Sequence, residues 1–188
     1  MAGSCGSDYK VAGFLSPVGA VLGLSGFFVC FSPAPDIFSI PFFFFAAIIE
    51  IYVYLRFKDF LNRHYDFSRV NKLIAFLIIF CVLDFTLGVL DSLIPDSKGE
   101  LALTGTLAFA ILIPGGIAQI MFCRRLLRLN GTLHGLLKPF AYTGMVIAIA
   151  LLSVVFVLVG IFLTPVYSTL LGIILIKGPE QAEIPEFV

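Results

Sequence analysis

Residues 73–94 read LIAFLIIFCVLDFTLGVLDSLI. The run holds two carboxylates and no Lys or Arg in 22 residues. A helix rises about 1.5 Å per residue, so a segment of this length reaches across a hydrocarbon core of roughly 30 Å. Inside lipid each backbone N–H and C=O must find its partner within the segment, which favours a helix. We therefore read 73–94 as a transmembrane helix with Asp84, its twelfth residue, near mid-bilayer.

Four further stretches of the same kind flank it, at 11–32, 37–57, 101–123 and 139–163. Their punctuation is clear: Ser32-Pro33-Ala34-Pro35-Asp36, a basic loop from Arg56 to Lys72, Pro95 to Glu100, and a second basic loop from Arg124 to Lys138. The expected fold class is all-α: one transmembrane domain, a polytopic helical bundle of five spans. After Thr164-Pro165 the apolar character resumes over 166–176, too short to cross alone. It reads as a kinked or interfacial continuation; a re-entrant segment and a shifted fifth span are the alternatives.

Composition agrees with that class. The 188 residues are 60% hydrophobic and 13% charged, with a mean hydropathy of +1.07, whereas a water-soluble domain is about one quarter charged. Zero formal net charge argues against a nucleic-acid surface. Residues 1–10 lack a basic n-region and a small-residue cleavage site, so a removed signal peptide is not expected. Cys5, Cys30, Cys81 and Cys123 form no CxxC pair and read as four separate thiols.

Of the 12 Lys and Arg, Lys10 and the nine in the two basic loops fall on one side of the path, leaving Lys98 and Lys177 on the other. The positive-inside rule then puts the N-terminus in the cytoplasm and the C-terminus on the opposite side. Tyr9, Tyr52, Tyr54, Tyr65 and Tyr142 are expected at or near the inner interface and Tyr167 near the outer one. Arg56, Lys58, Arg124, Arg125 and Arg128 stand where lipid phosphates lie and read as headgroup contacts.

Three carboxylates fall inside apolar spans. An ionised carboxylate at the bilayer centre costs at least ~2.5–3.5 kcal/mol, so Asp84 should face protein or water, or carry a proton. Glu50 sits nearer the inner boundary, and Asp91 follows Asp84 by seven residues on the same helix face. No Lys or Arg lies deep in a span to neutralise them. Their partner is then a proton, a cation, a hydrogen-bonding neighbour such as Thr104, Thr106 or Ser153, or a residue of another subunit. Gln119 stands six residues before Arg125 as Glu50 does before Arg56, a weak echo between the second and fourth spans.

Gly19 and Gly23 form a small-xxx-small pair that lets another helix approach. Pro114-Gly115-Gly116 interrupts the fourth span, as a kink or a ligand-lining discontinuity. No hydrolase, zinc, haem or phosphate-loop signature is present, and His64 and His134 have no metal-ligand spacing. The sequence thus points to no cofactor, no metal and no catalytic residues. It is read as a non-catalytic subunit or scaffold of a membrane assembly, in contact with lipid and with itself or another protein. The alternative is a small oligomeric channel or a carboxylate-based proton or cation transporter.

Overall fold

The apolar stretches form helices. The computed structural model describes residues 5–30, 38–93, 100–129, 132–153 and 156–179, with the side chains of all of these except 5–6, 30, 88, 90–93, 100–111 and 157. Helix α1 is Cys5–Cys30, α2 Ile40–Tyr65, α3 Asn71–Leu93, α4 Glu100–Leu126, α5 Leu137–Leu152 and α6 Val157–Lys177. A 3₁₀ turn, Ser68–Val70, leads into α3. Among the described residues, four helices are long and apolar enough to cross a membrane, and α5 is a shorter apolar helix of 16 residues. The chain is accordingly an all-helical protein with the build of an integral membrane protein.

The fifth span expected at 139–163 is two helices. α5 ends at Leu152, where Ser153 turns extended (φ −97°, ψ 106°), and α6 starts at Val157. The Ser153 N–H still donates to the Ile149 carbonyl at 3.0 Å, and the Phe156 N–H donates to Ser153 at 2.9 Å, closing a tight reversal. Pro165, read as the end of a span, lies inside α6. Lipid offers no competing hydrogen bonds, so a helix persists through a proline that would end it in water. Two hydroxyls fasten the backbone around it: Thr164 to the Gly160 carbonyl at 3.1 Å and Thr169 to the Pro165 carbonyl at 2.7 Å. Residues 166–176 are therefore the second half of α6, continuous with the residues before Pro165.

The same prolines and glycines fail to break α4, which runs through Pro114-Gly115-Gly116 as one helix of 27 residues. α2 runs past the expected boundary at 57 to Tyr65. It stops where Asp66 takes a left-handed conformation (φ 48°, ψ 38°) and returns its N–H to the Leu61 carbonyl.

Each helix packs on its neighbours in sequence, and α6 closes on α1, so the six make a ring. Contacts show every neighbouring pair to be antiparallel. Asp8 meets Arg56 and Gly26 meets Phe43 between α1 and α2, while Glu50 meets Cys81 and Phe44 meets Phe85 between α2 and α3. Between α5 and α6, Phe140 stacks on Tyr167 and Gly160 lies against Ala150. Gly13 lies against Gly172 and Ile176, and Phe28 against Phe162, between α1 and α6.

The ends of α1 and α6 lie together. His134, in the second basic loop, lies 3.0 Å from the Gly178 carbonyl, so α6 finishes at the end of the ring where α1 begins. Because 139–163 turns back on itself, the described end of the chain does not lie opposite the N-terminus. Lys177 joins the basic end, and every Lys and Arg of the chain but Lys98 is now there; Lys98 and the Ser32–Asp36 turn lie outside the described residues.

That end is also the densest. Phe57, Phe60, Phe122 and Phe140 are fully buried, with Phe57 ring centroids 5.7 Å from Phe140 and 6.4 Å from both Phe60 and Phe122. Away from the ring's interior, Phe14, Val18, Val21, Phe45, Ile79 and Ile149 are exposed, as lipid-facing side chains would be.

Candidate functional site

The ring is filled at its basic end and hollow further along. A partly open cavity of about 290 Å³ lies between α1, α2, α3 and α6. Its α1 wall is Ser16, Gly19, Ala20, Gly23, Leu24 and Phe27; its α2 wall includes Phe43, Ala46, Glu50 and Tyr54. α3 contributes Asp84, and α6 contributes Ile161, Thr164, Tyr167 and Ser168.

Small residues on α1 make the room. A Cβ on Gly19 would stand 2.8 Å from the Ile49 side chain, and one on Gly26 3.1 Å from Phe43, so both glycines set how closely α2 approaches. Gly23 differs: a Cβ there would stand 3.8 Å from Ala46, an ordinary contact at the cavity wall. The other face of α1 meets α6 more tightly still. A Cβ on Gly13 would come within 2.7 Å of the Gly172 carbonyl, and the Ser16 hydroxyl donates to the Ser168 carbonyl at 2.8 Å. Sequence reading missed Gly13 and Gly172, although Ser168-x-x-x-Gly172 is a small-xxx-small pair of the kind that marks helix crossings.

Glu50 and Asp84 face the same cavity from adjacent helices. Both side chains are accessible, not packed over. The Cys81 thiol points at the Glu50 carboxylate at 3.7 Å, a weak donor that leaves the oxygens open to other partners. No Lys, Arg or His is among the lining residues. The side-chain ion pair at the basic end, Arg56 to Asp8 at 3.2 Å, is between accessible groups, and the Arg56 guanidinium also lies 5.2 Å from the Tyr52 ring centre.

Below the carboxylates, toward the basic end, a polar stack crosses the ring. Gln119 on α4 donates to the Tyr167 hydroxyl on α6 at 3.1 Å, and Tyr167 is hydrogen-bonded to Tyr54 on α2. These three helices run in one direction, and their polar groups meet on the ring's axis. Tyr167 was expected at the outer interface; it is buried here, its ring stacked 4.5 Å from Phe140. Gly144 makes its place, since a Cβ there would stand 2.6 Å from the Cys123 sulfur and 2.9 Å from the Tyr167 ring. Tyr54, expected at the inner interface, is buried in the same stack. Spacing gives no sign of this pairing, because Tyr54 and Tyr167 belong to helices that are far apart in sequence.

The other residues singled out from the sequence lie elsewhere. Gly115 faces the Phe80 ring on α3, and a Cβ on Gly116 would stand 2.7 Å from the Leu152 side chain on α5, so the Pro114-Gly115-Gly116 segment is a contact surface on both sides of α4 and does not line the cavity described above. Pro114 itself is exposed. The side chains of Asp91, Thr104 and Thr106 lie outside the described residues. Lys58, Arg124, Arg125 and Arg128 line the basic end, where Arg125 donates to the Arg69 carbonyl at 3.0 Å and so ties α4 to the turn before α3. Cys81 and Cys123 are free thiols.

Comparison with known proteins gives no relative to borrow from: no protein-family model, curated protein or solved structure matches the chain.

Proposed function

We propose that the chain is an integral membrane protein that binds a proton or cation at Glu50 and Asp84 and passes it across the bilayer, a carboxylate-based transporter. One observation carries the reading: the two mid-span carboxylates line one cavity inside a single chain, and no basic residue shares that lining. A carboxylate deep in a low-dielectric medium is strongly favoured when a positive partner arrives. A site with two acids and no internal base therefore takes up a proton or a cation.

The cavity and its floor support a gated path. The Tyr54–Tyr167–Gln119 stack and the Phe57, Phe122 and Phe140 rings close the ring's axis toward the basic end. By the positive-inside rule that end is cytoplasmic, which puts the N-terminus and the described end of α6 on the cytoplasmic side. Arg124, Arg125, Arg128, Lys58 and Arg56 then sit at the depth of lipid phosphates and hold the ring in register with the membrane. Transport on this scheme needs the aromatic floor to part while the opposite mouth closes.

A subunit or scaffold role is the second reading, and α3 favours it. Only 17% of its apolar window is covered within the chain against 33% for α6, leaving a face on which another protein could pack.

The purified chain in proteoliposomes separates the two. With an imposed pH gradient and an internal pH dye, the first reading expects proton or cation flux that falls at least ~10-fold in Asp84→Asn and Glu50→Gln, with the folded species intact. A sealed, inactive wild type, together with loss of a co-purifying protein when the α3 face is changed, would replace the transporter reading with the scaffold one.

A further inference from the structure

We infer that the ligand of this cavity is an organic ammonium ion with an apolar body, taken up in exchange for protons on Glu50 and Asp84. This rests on the cation-site reading above and goes on to name the chemical class.

Size speaks first. A proton needs no cavity, and a bare metal ion is held by oxygen ligands closed tightly around it. About 290 Å³ is room for roughly ten waters at ≈ 30 Å³ each, near the lower end of small-molecule pockets. The space fits a compact organic molecule.

The walls then choose its character. Phe27, Phe43, Tyr54 and Tyr167 reach the cavity from three helices, and most of the remaining lining is aliphatic or glycine. An inorganic ion gains little from such a surface, whereas an alkyl or aryl ammonium is attracted both to carboxylates and to aromatic faces.

The polar groups exclude the opposite charge. The Ser16 hydroxyl gives its proton to the Ser168 carbonyl, and Thr164 gives its own to the Gly160 carbonyl. With those two protons engaged and no Lys, Arg or His in the lining, a carboxylate or phosphate on the ligand meets two acids and no positive charge to balance it. A zwitterion such as an amino acid is disfavoured for the same reason. Two facing acids also make the exchange natural. An arriving ammonium stabilises the ionised carboxylate and releases its proton, and the returning proton expels the ammonium.

The test uses the full chain in nanodiscs with radiolabelled benzyltrimethylammonium, a weakly buffered medium and a pH dye. Expected are saturable binding, one ligand per chain, with proton release. Affinity should fall about tenfold or more, ~1.4 kcal/mol, in Glu50→Gln and Asp84→Asn and be retained in Asp84→Glu. Neopentylbenzene, the uncharged isostere, and benzoate should fail to compete. If neopentylbenzene competes as well as unlabelled benzyltrimethylammonium, the pocket recognises shape alone and the inference is overturned. Unchanged affinity in both carboxamide variants overturns it as well. Absence of ammonium binding alongside carboxylate-dependent proton or potassium flux would overturn the ligand class while leaving the transporter reading in place. Absence of both would remove the two together.

Discussion

At the basic end of the ring, Phe57, Phe60, Phe122 and Phe140 meet ring against ring and leave no accessible surface on any of the four. Further from that end, between α1 and α2, the positions are Gly19, Ala20, Gly23 and Ala46, and the space beside them stays hollow around Glu50 and Asp84. Topology is the same in both halves, so side-chain volume makes the difference. In water, an unfilled interior would be closed by the hydrophobic effect. In lipid, where apolar tails surround the bundle, that drive is missing and the fit of surfaces decides. A ring of helices can therefore hold a cavity in one half if the other half is packed densely enough to fix the spacing.

The largest test of this contrast is Gly172→Leu. A Cβ at this position would press on the Gly13 carbonyl, 2.5 Å away, and neither backbone can yield without parting α1 from α6. The ring closes at this pair. Insertion of a branched side chain between two backbones belongs with the severe cases, about 4–5 kcal/mol or more. We expect loss of the monodisperse species on size-exclusion chromatography in mild detergent. A folded Gly172→Leu protein of wild-type stability would mean that the α1–α6 crossing does not fix the ring.

Next in size is Phe57→Ala, which removes the ring that touches Phe60, Phe122 and Phe140 together. Truncation of a buried aromatic that cannot be refilled costs about 3 kcal/mol or more. The loss should be visible as a lowered midpoint in detergent-induced unfolding. The same change hollows the floor beneath the polar stack, so a raised passive proton leak in proteoliposomes is expected as well. A lowered midpoint without leak would show that the Tyr54–Tyr167–Gln119 stack seals the axis by itself.

How much of this was legible beforehand follows the same division. Helices were readable because membrane thickness imposes a length, and the charge asymmetry located the basic end from Lys10 and the nine Lys and Arg of the two basic loops. The reversal at Ser153–Phe156 was not readable. It contains no Gly, Pro, Asn or Asp, and the misleading punctuation of Thr164-Pro165 lies eleven residues further on, inside a helix. Glu50 and Asp84 drew notice as misplaced charges, yet their sharing of a cavity depends on α2 and α3 being neighbours in a closed ring. Gln119 was marked through its echo of Glu50, while its partners Tyr54 and Tyr167 looked like interfacial tyrosines. A phenol suits either a headgroup or a buried hydrogen bond, and spacing along one helix does not distinguish them.

The smallest expected effect on stability, and the sharpest on function, comes from Gly23→Leu. Read from sequence, Gly23 belongs with Gly19 in one close-packing pair, and a leucine there should disrupt the bundle. The structure separates the two positions: a Cβ on Gly19 collides with Ile49, but one on Gly23 stands 3.8 Å from Ala46, at the edge of open space. A leucine at 23 then grows into the cavity and not into a neighbouring backbone. Its cost to stability should stay under about 1 kcal/mol, because no packed group has to move. It occupies room that a ligand needs, so uptake of benzyltrimethylammonium should fall severalfold while the unfolding midpoint stays near that of the wild type. The companion Gly19→Leu should reverse the pattern, with stability lost first. If the two substitutions instead destabilise the protein equally, Gly23 is a packing residue like Gly19 and the hollow half of the ring closes in the membrane.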